Sequence, residues 1–328
     1  MNVFDSMVEK LKQNPKTLVF TEGFDPRILE ATDKILKEGF IKPILIGKKD
    51  EVEKVAKENN FNIKGAKIID PDNYDEFSDM VKLFVELRKK KGVTEDQAKE
   101  ILKKGNYFGT MLVKMGKADS LLGGATYSTA DTVRPALQLI KTKPENRIVS
   151  SCFILIRENE KNHTEEVLAM ADCAINIDPS EDDLVEICKD TAACAKVFGI
   201  DPKIAFLSYS TLGSGSGEKV EKVRNAEHKA REQFKDLQME GEIQFDAAVD
   251  EKVAHTKCKD SKVAGHANTF IFPDINAGNI GYKIAQRLGH FDAYGPILLG
   301  LNSAVNDLSR GCNAEEVYKM AIITASMA

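Results

Sequence analysis

Short aliphatic runs alternate with longer stretches of helical spacing along most of this chain, and that alternation constrains the fold more than any other feature. Strand-sized apolar runs separated by amphipathic helices are the sequence form of parallel βαβ units. Thr17 to Phe20 (TLVF) predicts a buried strand, and Ile28 to Lys37 carries helical spacing after the start signal Asp25-Pro26. Pro43 to Ile46 and Ala66 to Ile69 read as the next two strands, followed by a mostly helical stretch from Tyr74 to Met115. A strand at Ser120 to Leu122 then breaks at Gly123-Gly124 before a helix from Thr129 to Lys141.

The turn Lys143-Pro144-Glu145-Asn146 predicts a domain boundary. Beyond it, strands are expected at Ile148 to Arg157, Ala171 to Ile177 and Ile204 to Tyr209, with a polar turn from Glu158 to Thr164. Helices are expected at Glu181 to Phe198 and Glu218 to Leu237. Near the end, Gly295 to Leu301 reads as a strand and Ala314 to Ala325 as a helix, both expected to return to the first lobe. A chain of 328 residues is long for one core, so two domains are the expectation. The predicted organisation is α/β with two lobes, the first formed by 1–145 and 295–328 and the second by 146–294.

Composition narrows the function classes. A net charge of -5 argues against a general nucleic-acid surface, and no apolar run approaches the roughly 20 residues needed to span a bilayer. The start Met1-Asn2-Val3-Phe4-Asp5 leads into a charged amphipathic pattern without a secretory apolar core, so the expected compartment is the cytoplasm. Six cysteines without CxxC spacing read as reduced thiols, and five histidines show no HExxH pattern, so no metal is expected.

Four segments carry the chemistry. Asn306-Asp307-Leu308-Ser309-Arg310-Gly311-Cys312 places a hydroxyl, a guanidinium and a glycine directly before a predicted helix. The planar donor fork of Arg310 matches phosphate oxygens, and a helix start adds free N–H groups. In Gly123-Gly124-Ala125-Thr126-Tyr127-Ser128-Thr129, two glycines end a strand and hydroxyls gather at a helix start, with Arg134 about one and a half turns in. Ser128 and Thr129 serve either as ligand contacts or as helix caps. Phe270 to Lys283 repeats the theme, with Asn279 and Lys283 four residues apart on one helix face and Arg287 one turn on. Ser210 to Lys219 is a Gly/Ser loop that matches neither GxGxxG nor GxxxxGK[ST], and reads as an anion nest or as a plain turn. Glu316 stands three residues after Asn313, the spacing of a capping box, which the spacing alone favours over a general base held beside Ser309 and Arg310.

Taken together, these segments resemble the phosphate acetyltransferase (phosphotransacetylase) family from end to end. The resemblance is carried by FTEGFDPRILEA, LRKKKGVT, YFGTM, GGATYSTADTVRPALQ, LSYSTLGSGSG, GEIQFDAA, ANTFIFPDINAGNIGYKIAQRL and GPILLGLNSAVNDLSRGC. It implies reversible transfer of an acetyl group between coenzyme A and inorganic phosphate, with acetyl phosphate as the other product. It also implies two lobes of the isocitrate/isopropylmalate dehydrogenase-like fold, an active site in the cleft between them, and a homodimer formed through the second lobe. Ser309 and Arg310 align with the family's reacting centre, and Arg88 and Arg134 with its coenzyme A arginines. The family's usual aspartate base is Glu316 here, and the proline of its first FPEG-like block is Thr21.

The implied chemistry needs no permanently bound cofactor, since coenzyme A enters as a substrate. Its thiol, with a reference pKa of about 8.5, attacks the acetyl carbonyl as Glu316 takes the proton. Ser309 and Arg310 then stabilise the developing charge, while Ser128, Thr129, Arg88, Arg134, Asn279, Lys283 and Arg287 hold the anionic substrates. Cys312 is the rival nucleophile, and no histidine near it in sequence activates it. Three alternatives stand beside this reading. One is a phosphate butyryltransferase, one a dehydrogenase of the same fold, and one a non-catalytic descendant. The dehydrogenase lacks a dinucleotide fingerprint or an aspartate metal cluster in the sequence.

Overall fold

In the first unit five strands form a wholly parallel sheet. They are β1 (Lys16–Phe20), β2 (Ile41–Ile46), β3 (Lys67–Ile69), β4 (Ser120–Gly123) and, from the far end of the chain, β11 (Ala304–Asp307). The computed structural model describes residues 2–159 and 163–328, so residues 160–162 of the turn expected over 158–164 lie outside the described residues. The strand order is β11-β4-β1-β2-β3. From β1 the chain runs to β2 and β3 on one side and then returns to β4 and β11 on the other. The direction of winding therefore reverses between β1 and β4, where the carboxyl ends of the strands open a ligand crevice in sheets of this kind.

Local chemistry explains the elements that flank this point. The helix Pro26–Glu38 starts where the Asp25 side chain accepts from the Arg27 N–H, has proline in its first turn, and stops at Gly39 in the left-handed conformation. Ile28, Leu29, Ala31, Thr32 and Ile35 fall on its buried face at helical spacing. The long helical stretch after β3 resolves into Phe77–Arg88, Glu95–Leu102 and Gly105–Lys114. The helix expected from Thr129 to Lys141 is α-helical only to Pro135 and widens to a π-turn over Ala136–Ile140, consistent with a proline that has no N–H to give the ladder. The last helix, Ala314–Ser326, opens on a complete capping box and buries Val317, Tyr318, Met320 and Ala321 through Ala325.

The second unit is a six-stranded mixed sheet in the order β10-β5-β6-β9-β7-β8. Its strands are β5 (Ser150–Glu158), β6 (Glu165–Ala171), β7 (Lys203–Leu207), β8 (Gln238–Ile243), β9 (Thr269–Ile271) and β10 (Asp292–Leu299). β5 runs antiparallel to both β10 and β6, and the remaining pairs are parallel. Helices Glu181–Val197, Glu218–Gln233 and Ile275–Arg287 belong to this unit. All six cysteines are free and buried.

Three expectations are corrected here. The strand expected at Ala171 to Ile177 ends where it was to begin. Ser151 Oγ donates to the buried Asp172 carboxylate, which also takes the N–H groups of Ala174, Ile175 and Asn176, so the chain wraps around a side chain instead of extending. The apolar run Gly295 to Leu301 does not return to the first sheet. It is the end of β10 and pairs with β5 from Asp292↔Ile156 to Leu299↔Ser150, so the units divide as 1–145 with 301–328 and 146–300. What joins the first sheet is β11, a short strand the sequence reading did not mark, as it also missed β8.

Candidate active site

Three parallel strands of the first unit deliver their carboxyl ends side by side: Thr21-Glu22 after β1, Gly124 to Thr126 after β4, and Leu308 to Arg310 after β11. Glu22 is fully buried. Its Oε1 accepts from the backbone N–H of Gly124 (3.1 Å), Thr126 (3.0 Å) and Tyr127 (3.3 Å), and its Oε2 from the Thr21 hydroxyl (2.6 Å). A charge without exposure at a strand tip is thus satisfied by the loop it shapes.

Arg27 ties the three tips together. Its Nε and one Nη2 hydrogen go to Asp25 (2.9 and 2.7 Å), and the other Nη2 hydrogen goes to the carbonyl of Ala125 (2.8 Å). Its Nη1 donates to the carbonyls of Arg310 (2.8 Å) and Cys312 (3.0 Å). All five guanidinium donors are occupied inside the protein. Arg310 is the opposite case. It is exposed, and among the described residues its guanidinium makes no hydrogen bond or ion pair. One arginine holds the loop and the other is free to take an anion.

Ser309 is exposed beside Arg310; its Oγ accepts from the Gly311 N–H (3.2 Å) and keeps its own proton to donate. Glu316 lies one helical turn on, where its Oε2 accepts from the Asn313 N–H (2.9 Å) while its own N–H donates to Asn313 Oδ1 (2.9 Å). The capping box is therefore formed. Burial pushes the Cys312 thiol up to about 11 against the lowering effect of Arg27, which keeps it protonated. Ser128 caps the Thr129–Pro135 helix and donates to Asp131 Oδ2 (2.6 Å).

Arg88 and Arg134 meet around Tyr107. Burial raises that phenol, and both arginines act on it in the opposite sense. Phe84, one turn before Arg88, packs edge-on against the Tyr107 ring at 6.0 Å. Arg134 also lies 3.5 Å from Asp131, with both side chains about half exposed. Seven of the ten residues singled out from sequence therefore belong to the first unit: Ser309, Arg310, Glu316, Ser128, Thr129, Arg88 and Arg134. The remaining three lie on the Ile275–Arg287 helix of the second unit. There Asn279 donates to the Cys173 carbonyl (3.0 Å), and Lys283 and Arg287 are exposed.

The Gly/Ser loop after β7 has a partner of its own. Buried Glu242 accepts from Ser210 Oγ and Gly213 N–H, both at 2.8 Å, and from the Arg224 fork at 2.9 and 3.0 Å. Burial pushes its carboxyl up, but these donors outweigh burial and hold it at about 2. A protein carboxylate occupies the loop's N–H group, so the plain-turn reading of this segment gains support over the anion nest.

Sequence reasoning gave no site role to Glu22, Asp25, Arg27, Asp307 or Glu242, reading Asp25 only as a helix start. A signal was present for the first three, since an acid follows β1 directly and Asp-Pro-Arg opens a helix. Among the described residues no group of three or more His, Cys, Asp or Glu side chains could hold a metal ion. No helix among them is long and apolar enough to cross a membrane.

Comparison with known proteins points one way. The family model described as phosphate acetyl/butaryl transferase matches residues 2–325. A phosphate acetyltransferase of Bacillus subtilis (strain 168) is 51% identical over 327 residues, covering 100% of this chain and 99% of that protein. The crystal structure of a phosphotransacetylase from Streptococcus pyogenes superimposes with a TM-score of 0.94 at 51% identity, covering 99% of this chain and 97% of that one. A structure described as a putative 4-hydroxythreonine-4-phosphate dehydrogenase from Salmonella typhimurium shares the fold alone, at 12% identity and a TM-score of 0.53 over 96% of this chain and 100% of that one.

Proposed function

The chain belongs to the phosphotransacetylase family and is an enzyme, and from that premise we propose that it moves an acetyl group reversibly between coenzyme A and inorganic phosphate by direct attack of the thiol on acetyl phosphate. The observation that carries this reading is the contrast between the two arginines at the strand tips. Arg27 is saturated by the protein and Arg310 is free, with the Ser309 hydroxyl beside it.

In the forward step the thiol sulfur forms a bond to the acetyl carbon as the bond from that carbon to the phosphate oxygen breaks. The thiol proton passes to Glu316, whose capping bond uses one of its two carboxylate oxygens. Negative charge gathers on the carbonyl oxygen and the leaving phosphate, where Arg310 and the Ser309 hydroxyl stabilise it. Arg88 and Arg134 hold the anionic coenzyme A, and Ser128 and Thr129 flank the site. The acetyl and butyryl readings share all of this chemistry, and the name of the Bacillus subtilis relative favours acetyl. We further propose a homodimer formed through the second unit. Its support is a stripe of exposed apolar side chains, Ile280, Ile284 and Leu288, spaced four apart.

The test is thioester formation from acetyl phosphate and coenzyme A, with butyryl phosphate run in parallel. Fast acetyl-selective turnover is expected, and turnover with butyryl phosphate alone moves the chain to the other acyl class. Arg310→Ala should lose roughly 100- to 1,000-fold in kcat, the value of one preorganised charge-stabilising donor. Near wild-type turnover in that variant sinks the scheme. Glu316→Gln should lose rate with little change in melting temperature; the reverse pattern leaves only the cap.

A further inference from the structure

Asp307, the last residue of β11, is a carboxylate that neither the capping nor the catalytic scheme uses. It is 1% exposed, its Oδ1 has no hydrogen-bond partner among the described residues, and it directly precedes Leu308-Ser309-Arg310. A buried, half-satisfied carboxyl is costly, and an apolar residue fills such a position at lower cost. Its surroundings show what the cost secures. Asp307 pairs with Gly123 in the ladder, and the next N–H, that of Leu308, donates to the Gly123 carbonyl at 2.7 Å. Gly124 has a φ of 101°, and any Cβ there overlaps Asp307 Oδ1 and the Leu308 backbone, so the carboxyl takes the space a side chain at 124 would fill. Thr129 and Thr132 of the Thr129–Pro135 helix act on it through their hydroxyls, and the Thr132 hydroxyl also donates to the Ser128 carbonyl at 3.4 Å.

We propose that Asp307 is a positioning residue for acyl transfer: its negative charge locks the threonine hydroxyls at positions 129 and 132 against the β11 tip and holds the Ser309–Arg310 segment in working geometry. The proposal rests on the reading of that segment as the reacting centre. Two ionisable groups act on Asp307, Glu22 from the end of β1 and Arg310 from the segment that follows it. Along β11, the preceding Asn306 is engaged by Thr324 of the C-terminal helix. Glu22 is surrounded by donors, whereas Asp307 has few. Burial pushes it up to about 6, against the hydroxyls of Thr129 and Thr132, with Glu22 adding to the rise and Arg310 opposing it. The sign follows directly. Above about pH 6 the carboxylate is present and the segment is held; below it the charge is lost and turnover falls.

The experiment compares kcat–pH profiles of wild type, Asp307→Asn and Thr132→Val in the acetyl phosphate plus coenzyme A assay, with melting temperatures alongside. Asp307→Asn preserves shape and removes charge. At pH 8 it should lower kcat roughly 10- to 100-fold, as for a misplaced reacting group, with the KM for coenzyme A within about threefold because Arg88 and Arg134 are untouched. Its residual activity should lack the wild-type acid limb near pH 6. Thr132→Val removes a hydroxyl that stabilises the carboxylate, so its acid limb should move up by about half a pH unit. The inference is overturned by an Asp307→Asn enzyme within twofold of wild-type kcat, by an unchanged acid limb in that variant, or by a Thr132→Val limb that does not move. Should Asp307→Asn fail to fold, the Thr132→Val limb alone decides. A wild-type chain without turnover overturns the acetyl-transfer reading itself, whereas active wild type with indifferent variants overturns only the role of Asp307.

Discussion

Replacing Arg27 by methionine tests whether the free state of Arg310 depends on the saturated state of its neighbour. The change keeps the aliphatic stem and deletes all five donors. The Asp25 side chain is 8% exposed and that of Arg27 27%, so a mostly buried carboxylate loses its bidentate partner. Breaking a fully buried pair costs about 3–5 kcal/mol. Partial solvation of the guanidinium side lowers this, and the helix-cap bond from the Arg27 N–H to Asp25 survives, leaving roughly 2–4 kcal/mol. For a unit of this size each kcal/mol moves the melting temperature by about 2–4 °C, so a drop of roughly 4–16 °C is expected in calorimetry. Rate should fall as well, because the carbonyls of Arg310 and Cys312 lose the donor that fixes their loop. Arg27→Lys, which keeps charge but not the fork, should fall between the two. In a double-mutant cycle, Asp25→Asn and Arg27→Met should couple by more than about 1 kcal/mol. A melting temperature within about 2 °C of wild type, or additive single changes, would refute the clamp.

Two further outcomes concern the second unit. The Glu242 carboxyl sits at about 2 when folded, below the ordinary glutamate value, so its stabilising contribution is complete above about pH 4.5 and drains away as pH falls toward 2. Urea denaturation of Glu242→Gln should show lower stability at pH 7 and a flatter loss between pH 4.5 and 2.5 than wild type; parallel curves dispose of the assignment. Ile284→Glu places a charge in the exposed apolar stripe of Ile280, Ile284 and Leu288, and sedimentation should find the monomer fraction raised if copies pair there. An unchanged sedimentation coefficient for a dimeric wild type moves the interface elsewhere.

What was legible in the sequence follows from how each piece is encoded. β1, β2 and β4 announce themselves because a central parallel strand is buried on both faces over most of its length and reads there as a near-continuous apolar run. β11 hid because Ala304-Val305-Asn306-Asp307 is short and half polar: Asn306 is spent on Thr324 and Asp307 on the β4–helix loop. β8, Gln-Met-Glu-Gly-Glu-Ile, carries two glutamates that a pattern reading scores as exposed. One of them, Glu242, is buried because Arg224 and Ser210 reach it from elsewhere in the chain. The same asymmetry governs the site. Arg310 and Ser309 were readable because a free donor beside a glycine is a local signal. Arg27 and Glu22 were not, because a saturated polar group is defined by partners roughly 100 to 280 residues away. Function therefore shows in sequence where side chains are left unpaired. The scaffold that keeps them unpaired appears only once the strand tips are side by side, and Asp307, buried yet half satisfied, belongs to both.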